Sequence, residues 1–173
     1  MTLLKVKVMT KKRVLWIEDS AYNENTILAA PVHLTGKYDL SVALSASEGT
    51  NALRKTIFDA VIVDIRIPPG NDKRWIDIYY ELGRSNMAAR LGLKLLEVLL
   101  STPPRWPEQF PDSAHDRSRY GVLSVESGIE LKDDLARVGV SAYRDKGSGP
   151  DPTVLLEIIE EIITRRAPKD YDE

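Results

Sequence analysis

The sequence predicts an α/β fold, a doubly wound five-stranded parallel sheet with helices on both faces. Three observations predict it. Five short segments rich in β-branched or aromatic residues alternate with helical patterns. The third of them carries Val61, Ile62 and Val63 in an unbroken apolar run, as in a strand buried on both faces. The last helical pattern has a single apolar stripe to lay against such a sheet.

The strand segments are "RVLWI" (13–17), "LSVALS" (40–45), "DAVIVDI" (59–65), "YGVLSV" (120–125) and "SAYRD" (141–145). A helix begins near Leu91. In "SGIELKDDLARVG", Ser127 and Glu130 form a capping-box signature and Gly139 is a stop. The last helix has Asp151 as a cap, Pro152 at its first position, and Arg165 and Arg166 at its C-terminal end. Its stripe is Val154, Leu155, Ile158, Ile159, Ile162 and Ile163. Two segments break the rhythm. Residues 71–90 delay the helix at Leu91, and residues 101–119, rich in proline and aromatics, delay the fourth strand.

With 173 residues, 43% apolar and 29% charged, the chain is of ordinary globular composition and suits one domain. A net charge of −2 gives no reason to expect direct nucleic-acid binding. The absence of cysteine excludes disulfides, thiolate metal sites and a thiol nucleophile. His33 and His115, far apart in sequence, argue against a histidine-based zinc site. The opening "MTLLKVKVMTKKR" lacks a signal-peptide core, and no run reaches membrane-spanning length. A cytoplasmic protein without membrane partners is the expectation.

Ligands of open α/β sheets bind beyond the carboxyl ends of the strands. Glu18 and Asp19 stand there after the first strand and Asp64 after the third; Ser124 is on the fourth and Lys146 follows the fifth. Each has a bland alternative. Glu18 and Asp19 can be solvated loop acids, with Asp19 capping a helix, and Asp64 can cap local backbone. Ser124 can satisfy a neighbouring carbonyl, and Lys146 can be a surface lysine. Together the set favours chemistry. Three crowded acids raise one another's pKa unless a cation neutralises them. Hard oxygen ligands suit Mg²⁺, a lysine offers a point charge for a phosphoryl group, and Asp is a covalent phosphoryl acceptor.

These residues resemble the receiver domain of two-component response regulators over about residues 12–166. "VLWIEDS" carries the acidic pair Glu18–Asp19, and Asp64 with Pro68 four residues on matches the phosphorylated strand end. "GVLSVES" supplies Ser124, "SAYRDKG" supplies Lys146 with the aromatic Tyr143 three residues earlier, and "GLKLLEVL" from Gly92 is similar to the family's third-helix start. The resemblance implies a flavodoxin-like fold and a phosphorylation-controlled switch, not an enzyme. Asp64 would accept the phosphoryl group, with Lys146 and Ser124 as its partners and Ser124 and Tyr143 as switch residues. Mg²⁺ would be held by Glu18, Asp19, Asp64 and the backbone carbonyl of Arg66. The implied partners are a sensor histidine kinase or phosphotransfer protein and an unknown downstream protein; a homodimer is left open.

The chain also departs from the family. The interval from Asp64 to Ser124 is longer than usual, the excess lying in 71–90 and 101–119 as insertions. Gly147 replaces the proline usual after the lysine, removing the cis peptide, and Arg66 and Val125 add bulk beside the acceptor. The expected organisation is an extension (1–11), a receiver-like domain (12–166) and a tail (167–173) with no output domain. The alternative function is a pseudo-receiver, an interaction module independent of phosphorylation. A haloacid-dehalogenase-like phosphotransferase is disfavoured, since "DIRIP" lacks the second Asp two residues on. Trp75, Ile76, Tyr79, Tyr80 and Leu82 form an apolar band at near-helical spacing, either packed against the chain's own helices or exposed to a partner.

Overall fold

All five strand segments form strands, the second set two residues earlier than expected and the third covering only the centre of its segment. β1 (Lys12–Ile17), β2 (Tyr38–Ala43), β3 (Ala60–Val63), β4 (Tyr120–Ser124) and β5 (Ala142–Asp145) make one sheet in the order β2-β1-β3-β4-β5. Every pairing is parallel. The computed structural model describes residues 9–168 apart from Glu24, Ser148 and Pro150. Most of the expected N-terminal extension, residues 1–8, and the tail from residue 169 lie outside the described residues.

Side chains alternate across a strand, so each strand feeds two cores. Val14, Trp16, Ile62 and Leu123 pack beneath α1 (Thr26–Leu34) and α7 (Val154–Arg166). Leu15, Ile17, Val61, Val63 and Val122 pack beneath α2 (Ala46–Lys55), α5 (Leu91–Leu100) and α6 (Gly128–Val138). β3 and β4 are buried along their whole length, which is why their sequences are apolar without alternation.

The capping box of α6 forms as its sequence predicts, and Gly139 ends the helix at φ +74°. The last helix starts later than expected. The Asp151 carboxylate accepts from the Thr153 N–H at 2.9 Å and its hydroxyl at 2.7 Å. This Asx turn leaves Pro152 ahead of the helix, and α7 begins at Val154.

The 71–90 segment holds α3 (Lys73–Glu81) and the single turn α4 (Asn86–Ala89). Asp72 caps α3 by accepting from the Arg74 N–H at 3.0 Å. Trp75 is fully buried, donates Nε1–H to Thr50 Oγ1 at 3.2 Å, and meets Trp106 edge-on at 5.2 Å. Phe110 and Ala114, from the 3₁₀ turns of the 101–119 segment, enter the same core. The segments are joined by polar contacts as well: Gln109 Oε1 accepts from Arg54 at 3.0 Å and from Arg74 at 2.6 Å. The central aromatics therefore pack internally, while Tyr80 stays exposed. Among the described residues, no helix is long and apolar enough to cross a membrane.

Candidate functional site

The sheet's hydrogen bonding continues past the strand ends and sets the site residues in place. Glu18 N–H donates to Ala43 O, Asp64 N–H to Ile17 O and Lys146 N–H to Ser124 O, each at 2.9 Å. Three backbones from distant parts of the chain are thereby registered on one sheet edge. From above, α5 closes on Asp64. Gly92 N–H donates to Ile65 O at 3.0 Å, and a Cβ on Gly92 would lie 1.8 Å from Asp64 O. Only glycine permits that approach.

Glu18 is fully buried and Asp64 nearly so, while Asp19 is exposed. The two buried acids are therefore not solvated loop residues. Asp19 does not cap a helix either, because α1 starts at Thr26 with Asn25 before it. Glu18 Oε1 accepts from the Ser20 N–H at 3.2 Å and its hydroxyl at 2.9 Å. The buried Lys146 ammonium bridges Glu18 Oε2 and Asp64 Oδ2, the latter at 3.3 Å. Asp64 Oδ1 is buried and has no protein partner. Burial raises the Asp64 pKa, and Glu18 raises it further; Lys146 and the Ser124 hydroxyl oppose this without cancelling it. Burial would lower the Lys146 pKa, but Asp64 and Glu18 outweigh it, so it is raised and the ammonium is secure.

Glu18, Asp19 and Asp64 each offer a carboxylate oxygen, all within 4.8 Å of one another. One lysine cannot balance three acids, and one buried oxygen is unpartnered. The donor set is positioned for a hard divalent cation.

The fold thus brings Glu18, Asp19, Asp64, Ser124 and Lys146 together. Tyr143 stands to one side, its hydroxyl donating to Glu126 O at 2.5 Å and its ring 3.0 Å from where a Gly128 Cβ would be. Val125 is about half exposed. The Arg66 side chain turns to Glu126, with Nε–H donating to Oε1 at 3.1 Å.

Glu126 and Arg90 were not legible as site residues. Glu126 is buried and shared by two arginines, Arg66 and Arg90, whose Nη2–H donates to Oε2 at 3.0 Å. Arg90 also reaches Asp134 at 3.1 Å. An acid two residues past a fully buried strand was the available signal; its partners, from two other parts of the chain, left none.

Neither a protein-family model nor a curated protein matches the sequence. Solved structures do. A response regulator receiver domain protein (CheY-like) from Methanospirillum hungatei JF-1 aligns with a TM-score of 0.57 and 18% identity, over 90% of this chain and 96% of that one. The receiver domain of a sensor histidine kinase from Pseudomonas aeruginosa PAO1, with a magnesium ion coordinated in its active site cleft, aligns at 0.52 and 15% identity, over 90% and 99%. A Burkholderia pseudomallei response regulator with a phosphorylated aspartic acid, a calcium ion and citrate aligns at 0.54 and 20% identity, over 90% and 70%.

The chain has the receiver-domain fold. The strand order is that of the flavodoxin-like sheet expected from sequence. In this receiver fold the order reverses at β1, between β2 and β3, and the acids lie at that switch point.

Proposed function

We propose that this chain is a phosphorylation-controlled signalling switch with Asp64 as the phosphoryl acceptor. The observation that carries the reading is the Asp64 carboxylate itself. Oδ2 is engaged by Lys146, whereas Oδ1 is buried, unpartnered and beside two further acids. In transfer from a phosphohistidine of a histidine kinase or phosphotransfer protein, a lone pair of Asp64 forms the new O–P bond. The P–N bond breaks, and its electron pair stays on the imidazole nitrogen. Mg²⁺ held by Glu18, Asp19, Asp64 and the Arg66 backbone carbonyl would supply neutralisation of the charge gathered there. The magnesium-bound and phosphorylated structural neighbours support both parts of the reading.

Lys146 keeps its proton throughout and pairs with the phosphoryl oxygens, and Ser124 donates its hydroxyl to one of them. New charge beside Ser124 and Lys146 draws on the strand end that carries Glu126, so the hydrogen bond from Tyr143 to Glu126 O is the contact to change. The output is then a remodelled surface of α6 and β5, read by a protein partner.

Intact-mass measurement after incubation with an acyl phosphate and Mg²⁺ tests the reading. The expected result is a gain of one phosphoryl group in the wild type and none in Asp64→Asn. No gain in the wild type would leave a phosphorylation-independent interaction module as the better reading.

A further inference from the structure

At the opposite edge of the sheet, below the amino ends of β4 and β5, lies a cavity of about 240 Å³. Its polar lining is Arg117, Arg165, Arg166, Ser118 and Ser141, over a floor of Tyr120, Ala142 and Ile162, with Gly139 at the rim. No carboxylate lines it, although the chain as a whole carries a net charge of −2. Three arginines from two separate parts of the chain border one small volume, a positive surround that favours an anion.

Part of the arrangement has an internal explanation. Arg165 and Arg166 end α7, where cations complement the helix dipole. Arg165 pairs with Glu161, and Arg166 lies 3.7 Å from Asp116. Arg117 has no such account. It belongs to a 3₁₀ turn of the 101–119 segment, and among the described residues no carboxylate pairs with it. It donates only to neutral oxygens, Leu100 O at 3.1 Å and Thr102 Oγ1 at 3.5 Å. Its side chain crosses Gly139, where a Cβ would lie 2.9 Å from Arg117 Nη1, so the glycine leaves it room at the cavity. The Ser141 hydroxyl accepts from Arg165 Nη1–H at 2.7 Å, which leaves its own proton free to donate.

We propose that this cavity is a binding site for a small phosphate-bearing anion. Guanidinium forks match tetrahedral phosphate oxygens, and hydrogen bonds between ionised partners are the strong ones. The volume is below the roughly 300 Å³ at which pockets for drug-sized ligands begin, and it suits inorganic phosphate or a short phosphomonoester. It lies across the sheet from Asp64 and shares no residue with that site, so its occupancy is measurable apart from the chemistry at Asp64.

Amide chemical-shift titration of the full chain, without Mg²⁺ and at low ionic strength, tests it. Inorganic phosphate is titrated in one arm and glycerol 2-phosphate in the other. The expected result is saturable shifts at Gly139, Val140 and Ser141 in at least one arm, and the tighter arm identifies the source. Arg117→Gln and Ser141→Ala, both at exposed positions, should each weaken binding, by about tenfold for the arginine. Asp64→Asn should leave it unchanged. Absence of saturable shifts at these amides in both arms, shifts confined to the surroundings of Lys146, or equal affinity in the wild type and a folded Arg117→Gln would each overturn the proposal.

Discussion

Asp64 is kept where an ionised carboxylate is costly, since burial and the neighbouring Glu18 both raise its pKa. The sign of the consequence is fixed. A folded-state pKa above the unfolded value favours folding at low pH, and that contribution is lost as pH rises through the folded pKa. Asn at position 64 does not titrate. In chelator, Asp64→Asn should therefore gain stability relative to wild type as pH rises from the ordinary carboxylate range through the raised Asp64 pKa, then level off. Urea midpoints of both proteins at several pH values check this, and parallel pH curves would refute it. Mg²⁺ should remove the penalty in the wild type, raising its stability by about 2.7 kcal/mol at a hundredfold excess over Kd. Asp19→Asn, which removes the exposed member of the acidic cluster, should blunt that gain; equal melting shifts in the two proteins would count against the metal site.

The inserted helix α3 contributes to the core through one face. Trp75 is fully buried against Thr50 and Trp106, so Trp75→Ala should cost about 3–5 kcal/mol. Tyr80 is exposed, with Arg84 stacked 4.8 Å from its ring centre, and Tyr80→Ala should change stability by no more than about 0.5 kcal/mol. Chemical denaturation separates the two, and similar losses would mean that the helix is not anchored by its Trp75 face. The apolar band is visible in the sequence, because Trp75, Ile76, Tyr79, Tyr80 and Leu82 recur at near-helical spacing. Which of them faces inward depends on α2 and on Trp106, and local periodicity contains neither. The Asp151 cap fails for a similar reason. A carboxylate near a helix start can close an Asx turn on Thr153 instead of capping, and spacing alone does not choose.

Across the molecule, Glu126 joins the end of β4 to Arg66, two residues after Asp64, and to Arg90, at the close of the 71–90 segment. Glu126→Gln leaves two arginines facing each other and should cost about 2 kcal/mol, below the range for fully buried pairs because both arginines reach water. A double-mutant cycle with Arg90→Gln should show coupling above about 0.5 kcal/mol, and additivity would dissolve the link. By itself the sequence determined the alternation of elements, the buried character of β3, the α6 cap, and the identities of Glu18, Asp19, Asp64, Ser124 and Lys146. Each is written in local composition, or in position at a strand end. Only the tertiary structure decided that Asp64 Oδ1 lacks a partner, that Lys146 bridges two acids, and that Arg66 pairs with Glu126. It alone placed Arg117 beside Arg165 and Arg166. Charge pairing is set by distance in space, and distant segments acquire that distance only when the parallel sheet stacks their ends on a common edge.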